Sequence, residues 1–487
     1  MTLSLNDPSL LVERAFIGGE WVGAASGATL DVDNPATGAV LGTIPDCGED
    51  ETRAAVDAAQ AAWGPWRSRT AGERAALLER WYALVMDNVV DLGRIMTAEQ
   101  GKPTAEAEGE IRYAASFIKW FAEEGRRIDG SMIPAPEANR RILVMKEPVG
   151  VSAAITPWNF PSAMITRKCA PALAAGCPVV VKPSELTPFS ALALVKLAER
   201  AGFPKGVFNI VTGQAAPIGN VLTGSDTVRK LSFTGSTRVG ALLMRQSADT
   251  IKRLSLELGG NAPLIVFDDA DIDLAVAATM ASKFRNAGQT CVCANRILVQ
   301  DGVYDLFAGK LAKAVSALKV APGDQDGATI GPLINRAAVD KVEAHVEDAL
   351  ARGATLYARA PEGARGDRFA TPVILTGATR DMRLADEETF GPVAPLFRFT
   401  HEEEGIALAN DTSFGLASYF YTENLHRAFR VGERLEAGMV VLNTGGIAME
   451  MAPFGGIKQS GLGREGAHAG IEEYLETKTF HIGGLKL

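Results

Sequence analysis

The sequence predicts an α/β protein built on doubly wound, mainly parallel sheets. Three observations carry that expectation. Short apolar runs such as Val179-Val180-Val181 stand between helical stretches, the mark of parallel strands covered by helices on both faces. From about residue 141 strand and helix patterns alternate. The helices are also clearly punctuated: Thr187 stands as an N-cap before Pro188 at the first position, and Gly202 lies just past the end.

Taken in order, the chain begins with a strand-like stretch at 16–22. Thr70 and Glu73 form a capping box. The helix after it sets Leu77, Trp81, Leu84 and Val85 on one face, which reads as core packing. A second helix begins near Thr104 and carries Ile111, Ala115 and Ile118. Strands are expected at 141–146, 149–156, 178–182, 207–211, 230–233 and 262–267. After Leu258 the alternation resumes, with helix at 271–287, strand at 297–299 and helix at 304–318. Two α/β domains in tandem are expected, with no long Pro/Ser linker and no fixed-period repeat.

A length of 487 residues corresponds to about three domains. Hydrophobic residues make up 47%, enough to offset the ordering entropy and exclude a mainly disordered chain. Asp and Glu outnumber Lys and Arg by 58 to 49, a net charge of −9. That balance argues against nucleic acid as a partner. Five cysteines, an odd number, make no disulfide framework and point to a reducing compartment. The first residues carry no basic stretch leading into an apolar core, so no targeting signal is expected. No apolar run approaches the roughly 20 residues that span a bilayer. A cytoplasmic protein with no membrane partner is expected.

Five short motifs could carry chemistry. In Phe233-Thr234-Gly235-Ser236-Thr237-Arg238-Val239-Gly240 a strand ends in a Gly/Ser turn and a helix follows. Free N–H groups at such a helix start can face a phosphate, and an ordinary strand-to-helix turn reads equally well. Cys291, in Asn286-Ala287-Gly288-Gln289-Thr290-Cys291-Val292-Cys293, lies in a polar, Gly-containing stretch where a thiolate could act as nucleophile. Cys47, Cys169 and Cys177 read as small buried hydrophobes. The Cys291-x-Cys293 pair has no second pair beside it, and the five histidines fall in no ligand spacing, so no metal site is expected.

Glu257 in Leu256-Glu257-Leu258-Gly259-Gly260-Asn261 is a carboxylate at an apolar strand end. Burial would raise its pKa and suit it to general-base work; a structural salt bridge is the plainer reading. Asn159 in Pro157-Trp158-Asn159-Phe160-Pro161 could donate to an oxyanion or simply sit in a turn. Lys182-Pro183-Ser184-Glu185 ends a strand, where ligands of such sheets bind.

Together these motifs resemble one family, the aldehyde dehydrogenases. The resemblance runs from about residue 15 to the C-terminus and includes Glu387-Glu388-Thr389-Phe390-Gly391-Pro392, Pro453-Phe454-Gly455-Gly456 and Ser460-Gly461-Leu462-Gly463-Arg464-Glu465. It implies a Rossmann-type cofactor domain at 1–126 and 148–258 and an α/β catalytic domain at 259–460. It further implies a small oligomerisation sheet from 127–147 and 461–487. Exposed strand edges in that sheet would need a partner, so a homodimer or homotetramer is expected.

The resemblance also implies roles. Cys291 attacks the aldehyde to form a thiohemiacetal, Asn159 and the Cys291 N–H hold the oxyanion, and hydride passes to the nicotinamide. Glu257 then activates the water that hydrolyses the thioester. The pyrophosphate would lie against Gly235 and Ser236. Lys182, Ser184 and Glu185 would face the adenine ribose, and Trp158, Glu388 and Phe390 the nicotinamide end. A carboxylate accepts from a ribose 2′-OH and repels a 2′-phosphate, so Glu185 predicts NAD over NADP, with NADP possible.

Within the family the chain is most similar to succinate-semialdehyde dehydrogenases. Arg167 and Arg285 would hold an anionic substrate tail. One position departs: Ala448 stands where that subfamily has a serine. Glutarate semialdehyde or a less polar aldehyde is therefore the alternative substrate. A cofactor-independent thiol esterase is a more distant one. By resemblance, a reversible disulfide between Cys291 and Cys293 could block the nucleophile, unless Cys293 only packs.

Overall fold

A computed structural model describes residues 3–486. The first large sheet has eight strands, in the spatial order Gly461–Leu462, Arg253–Glu257, Val228–Thr234, Val151–Ile155, Val179–Lys182, Phe208–Ile210, Ala15–Ile17 and Glu20–Val22. The five central strands run parallel. Val179, Val180 and Val181 are fully buried between helices, which is why that strand has no polar face. Chain order runs outward from Val151–Ile155 in one direction and continues on its other side at Val228–Thr234. Ligands bind beyond the carboxyl ends of strands at such a reversal. Trp158 and Asn159 follow one of these two strands, and Gly235 and Ser236 the other.

The second sheet has seven strands, with Ala262–Val266 and Ala294–Gln300 paired in parallel at its centre. The chain enters it directly from the edge of the first sheet through Leu258-Gly259-Gly260-Asn261. A Cβ on Gly260 would stand 2.4 Å from the Cys291 carbonyl, so only glycine lets these two segments touch. The crevice therefore lies between the carboxyl ends of the first sheet and the start of the second.

A three-stranded sheet, Ser131–Ile133, Arg141–Pro148 and Leu475–Ile482, stands apart from both. Arg141–Pro148 and Leu475–Ile482 pair antiparallel over their full lengths.

Several expectations need adjustment. The stretch at 16–22 is a hairpin, Ala15–Ile17 with Glu20–Val22. A further hairpin, Thr29–Asp33 with Val40–Pro45, had no counterpart among the expected strands. Thr187 does not cap its helix through its side chain. Its hydroxyl donates to the Trp158 carbonyl instead, and Glu99 accepts from the N–H groups of Phe189 and Ser190. The helix expected at 271–287 ends at Lys283. Asn286 and Ala287 have φ of 50° and 55°, left-handed values that no α-helix admits. The capping box at Thr70 and Glu73 forms in both directions.

Candidate active site

Cys291, Asn159, Trp158, Gly235, Glu388 and Phe390 all line one cavity of about 400 Å³. Cys291 is half-buried in its wall. Desolvation pushes its thiol up to about 12, the charges of Glu388 and Glu257 add to the rise, and Arg167 opposes it.

Asn159 is tied to the cysteine loop in both directions. Its Nδ2 donates to the Gln289 carbonyl at 3.0 Å, and its own carbonyl accepts from Asn286 Nδ2 at 3.0 Å. An amide nitrogen carries two hydrogens, so one remains for an acceptor beside Cys291. The left-handed turn at Asn286 and Ala287 is what brings Cys291 back to this amide. Glu106 holds it by accepting from the Asn286 N–H.

Glu257 ends its strand with both carboxyl oxygens buried and without a hydrogen-bond partner. Burial, reinforced by the charge of Glu465, raises its pKa well above the usual carboxyl range. Burial acts on Glu465 as well, but the cations Lys168 and Arg167 outweigh it and hold that carboxyl low. Glu465 is bound by Lys168 and lies 2.6 Å from Arg167 Nε. The salt bridge expected of Glu257 as the plainer reading thus belongs to Glu465.

Arg167 is fully buried, with its guanidinium 4.0 Å from the Phe454 ring centroid. Its Nη2 has no hydrogen-bond partner. Arg285 is exposed, stacks over Phe160 at 4.9 Å and makes no ion pair among the described residues. The Tyr113 hydroxyl, buried and unpartnered, feels the charges of both arginines. Tyr113 was absent from the sequence reading, because on a helix an aromatic residue beside Ile111 and Ala115 signals only core. Lys102, Glu110 and Glu106 escape the sequence for a similar reason: their partners Asn159, Ser162 and Asn286 lie 57, 52 and 180 residues away.

The crevice suits a dinucleotide. Ser236 caps the helix Thr237–Ser247 by accepting from the Val239 N–H, and the N–H groups at the very start of the helix have no partner within it. Thr234 Oγ1, at the end of the strand before it, is buried and unpartnered. At the end of Val179–Lys182, one strand further along the sheet past Val151–Ile155, Lys182 pairs with Glu185 at 2.5 Å, and Ser184 Oγ accepts from the Leu186 N–H. At the other end, Glu388 accepts from the Gly260 N–H at 3.2 Å, and burial pushes its carboxyl up to about 7. Phe390 meets Trp158 edge to face at 5.6 Å. One helix, Arg336–Ala351, holds this segment: Lys341 donates to the Glu388 carbonyl, and His345 bridges Glu387 and Thr389.

Cys293 does not line the cavity. It is buried, with its Sγ 3.2 Å from Lys283 Nζ. Cys47, Cys169 and Cys177 are buried free thiols. Among the described residues no group of three His, Cys, Asp or Glu could hold a metal ion, and no helix is long and apolar enough to cross a membrane.

A cavity-lining cysteine beside an Asn amide, with a buried, unpartnered carboxyl close enough to act on its thiol, suits a cofactor-linked oxidoreductase that works through a covalent thiol. The chain belongs to the aldehyde dehydrogenase family, whose sequence profile matches residues 21–480; enzymes of this family oxidise aldehydes with NAD or NADP. It is 61% identical over 483 residues to the 3-sulfolactaldehyde dehydrogenase of Pseudomonas putida, covering 99% of each chain. To the NADP-dependent succinate-semialdehyde dehydrogenase of Escherichia coli it is 60% identical, covering 99% of this chain and 100% of that one. A crystal structure of the succinate-semialdehyde dehydrogenase of Burkholderia pseudomallei superposes with a TM-score of 0.98 at 62% identity, covering 99% of this chain and 100% of that one.

Proposed function

We propose that this enzyme oxidises an aldehyde with an anionic ω-tail, succinate semialdehyde foremost, to the carboxylic acid. One observation carries the reading: the orphaned Tyr113 hydroxyl, placed under the charges of Arg167 and Arg285. A hydroxyl without a partner that feels two cations and the Cys291 charge together, with one of those cations free of any carboxylate among the described residues, suits a carboxylate ligand. The curated relatives act on aldehydes that carry a carboxylate or a sulfonate, as their names state. Ala448 leaves the pocket one hydroxyl short of the subfamily pattern. That favours glutarate semialdehyde as the second reading, the substrate named for another Pseudomonas putida relative at 59% identity.

The chemistry follows from the side chains. The Cys291 thiol gives up its proton to solvent, and the thiolate attacks the carbonyl carbon. The oxygen, now anionic, accepts from Asn159 Nδ2 and the Cys291 N–H. When bound, the nicotinamide supplies the hydride acceptor. Glu257, once ionised, takes a proton from the water that attacks the thioester carbon, and Cys291 leaves as thiolate. Ser236 and Gly235 would hold the pyrophosphate, Lys182, Ser184 and Glu185 the adenine ribose, and Trp158, Glu388 and Phe390 the nicotinamide ribose. Glu185 favours NAD.

The cofactor domain would comprise 1–126 and 148–258, the catalytic domain 259–460, and the oligomerisation element 127–147 and 461–487. A homodimer or homotetramer would cover Met132 and Phe480, exposed at 66% and 50% on the small sheet. The five free thiols suit the cytoplasm.

Steady-state kinetics over C4 and C5 semialdehydes, a sulfonated aldehyde, acetaldehyde and benzaldehyde test the reading. The anionic substrates should show the higher kcat/KM. Equal efficiency with acetaldehyde overturns the anionic-tail assignment.

A further inference from the structure

The short junction between the helices Val89–Gln100 and Thr104–Glu124 lies far from the motifs in sequence, yet side chains from it and from the helix turns on either side reach three of them. Glu99 accepts from Phe189 and Ser190 N–H groups, at the start of the helix that follows Lys182 and Glu185. Glu106 accepts from the Asn286 N–H in the cysteine loop. Glu110 Oε1 accepts from the N–H groups of Ser162 and Ala163, where the helix after Asn159 begins.

Between these carboxylates stands Lys102, 2% exposed. Its Nζ lies 2.5 Å from Glu110 Oε2 and donates to the Asn159 carbonyl at 2.8 Å. It also sits 4.1 Å from the Phe160 ring centroid. A buried ammonium is costly unless paired and hydrogen-bonded, and here every contact it makes is to the segment 159–160 or to the carboxylate that caps the helix after it. The Asn159 carbonyl accepts twice, from Lys102 and from Asn286 Nδ2. Two donors on one carbonyl fix the peptide plane, and with it the direction in which the Asn159 side chain leaves the backbone.

We propose that Lys102, held by Glu110, is a positioning residue for the oxyanion amide: it locks the Asn159 main chain so that Nδ2 points at the oxygen of a substrate bound to Cys291. The proposal rests on the assignment of Asn159 as the oxyanion donor. Lys102 touches neither substrate nor cofactor. Its effect is on the transition state, where the oxygen becomes negative, and not on the thiol itself.

The test uses the full-length enzyme with K102M/E110Q, which removes both buried charges at once and keeps a side-chain carbonyl for the Ser162 and Ala163 N–H groups. K102M alone is the second variant, and both are also made on N159A. Three quantities are read: kcat for aldehyde oxidation, KM for NAD, and the rate of Cys291 alkylation by iodoacetamide, a reaction that forms no oxyanion. Misplacing a catalytic donor by about 1 Å costs up to roughly a hundredfold, so kcat should fall about tenfold or more with alkylation rate and KM for NAD unchanged. In the N159A background the same change should cost nothing further, because coupled residues are non-additive. Wild-type kcat in K102M/E110Q overturns the proposal, and so do losses that multiply on N159A or an alkylation rate that falls with kcat. Retention of kcat by N159A itself would remove the Asn159 assignment and this proposal with it. Loss in N159A alone would remove only the proposal.

Discussion

Glu257 and Glu465 form an asymmetric carboxyl pair: the two share one buried region, but only Glu465 has its cations. Lys168 and Arg167 neutralise Glu465, while Glu257 has no hydrogen-bond partner. Pushing the two pKa values apart separates an ionised group from a neutral one. At low pH Glu257 is protonated and cannot accept a proton from water. Thioester hydrolysis should therefore rise as pH climbs through its elevated pKa. In E465Q the charge that raises Glu257 is gone and two cations are freed, so the acid limb of the kcat profile should move to lower pH. An unchanged limb would mean that Glu465 does not set the base. For stability the sign is opposite: a raised carboxyl pKa favours the fold at low pH, and that contribution is lost as pH rises through the folded value. E257Q should flatten this loss in thermal melts across pH.

The Cys291 thiol, pushed up to about 12, is almost wholly protonated in the free enzyme at neutral pH. Only the thiolate is nucleophilic. Alkylation by iodoacetamide should therefore accelerate about tenfold per pH unit between neutral pH and mild alkali. Burial sets most of the shift, but Glu388 is the next cause. E388Q should speed alkylation at a given pH, while R167A should slow it. C291A should abolish oxidation outright. N159A should lower it by about 100- to 1,000-fold, the usual range for one oxyanion donor.

Much of this site is legible in the sequence because its motifs sit at strand ends. Cys291 and Asn159 each follow an element whose period or punctuation can be read, the turn after Phe233 announces a helix start, and Glu388 is legible only through the family resemblance. What stays hidden is whatever depends on distant pairing. Lys102 looks like a surface charge in a turn and Glu110 like one on an amphipathic helix, and only the fold shows their partners to be Asn159 and the backbone at Ser162. Tyr113 is hidden in the same way. The helix expected to run on to residue 287 fails for a local reason of another kind. Its hydrophobic period continues past Lys283, but the Asn286 N–H is taken by Glu106 and the backbone turns left-handed.

The two arginines should differ on mutation. Arg285 has no carboxylate partner among the described residues, so R285A removes tail binding with little structural cost. A hydrogen bond to a charged group contributes about 1.5–3 kcal/mol, so KM for succinate semialdehyde should rise about tenfold or more while that for benzaldehyde stays level. Y113F should act in the same direction more weakly. Arg167 is held against Glu465, so R167A should also lower the melting temperature. Restoring the hydroxyl with A448S should lower KM for the C4 semialdehyde. An unchanged KM in R285A and Y113F alike would refute the tail pocket.

Glu185 gives the cofactor preference a physical test. Its carboxylate is paired with Lys182 at 2.5 Å and is about a third exposed, which leaves it open to the ribose 2′-substituent that the proposed cofactor site would bring to it. A 2′-OH can donate to it; a 2′-phosphate would be repelled. Wild-type enzyme should favour NAD in kcat/KM. E185S removes the repulsion and frees Lys182 for the phosphate, which should bring NADP level with NAD or ahead of it. Equal use of both cofactors by the wild type would sink the assignment.

Cys293 bears on redox control through its direction. Its Sγ packs on the Lys283 ammonium and carbonyl and does not line the cavity. A bridge to Cys291 would have to break those contacts and would close a ring across one intervening residue, strained and easily reduced. Peroxide should still convert a pair this close in sequence once the loop opens. The wild type should then lose activity that dithiothreitol restores, while C293A, with no second thiol to trap the sulfenic acid, should go on to the irreversible sulfinic acid under excess peroxide and recover less. K283M removes the ammonium that holds Cys293 inward and should make the wild-type inactivation faster. If C293A and the wild type recover equally under dithiothreitol, Cys293 is only a packing residue.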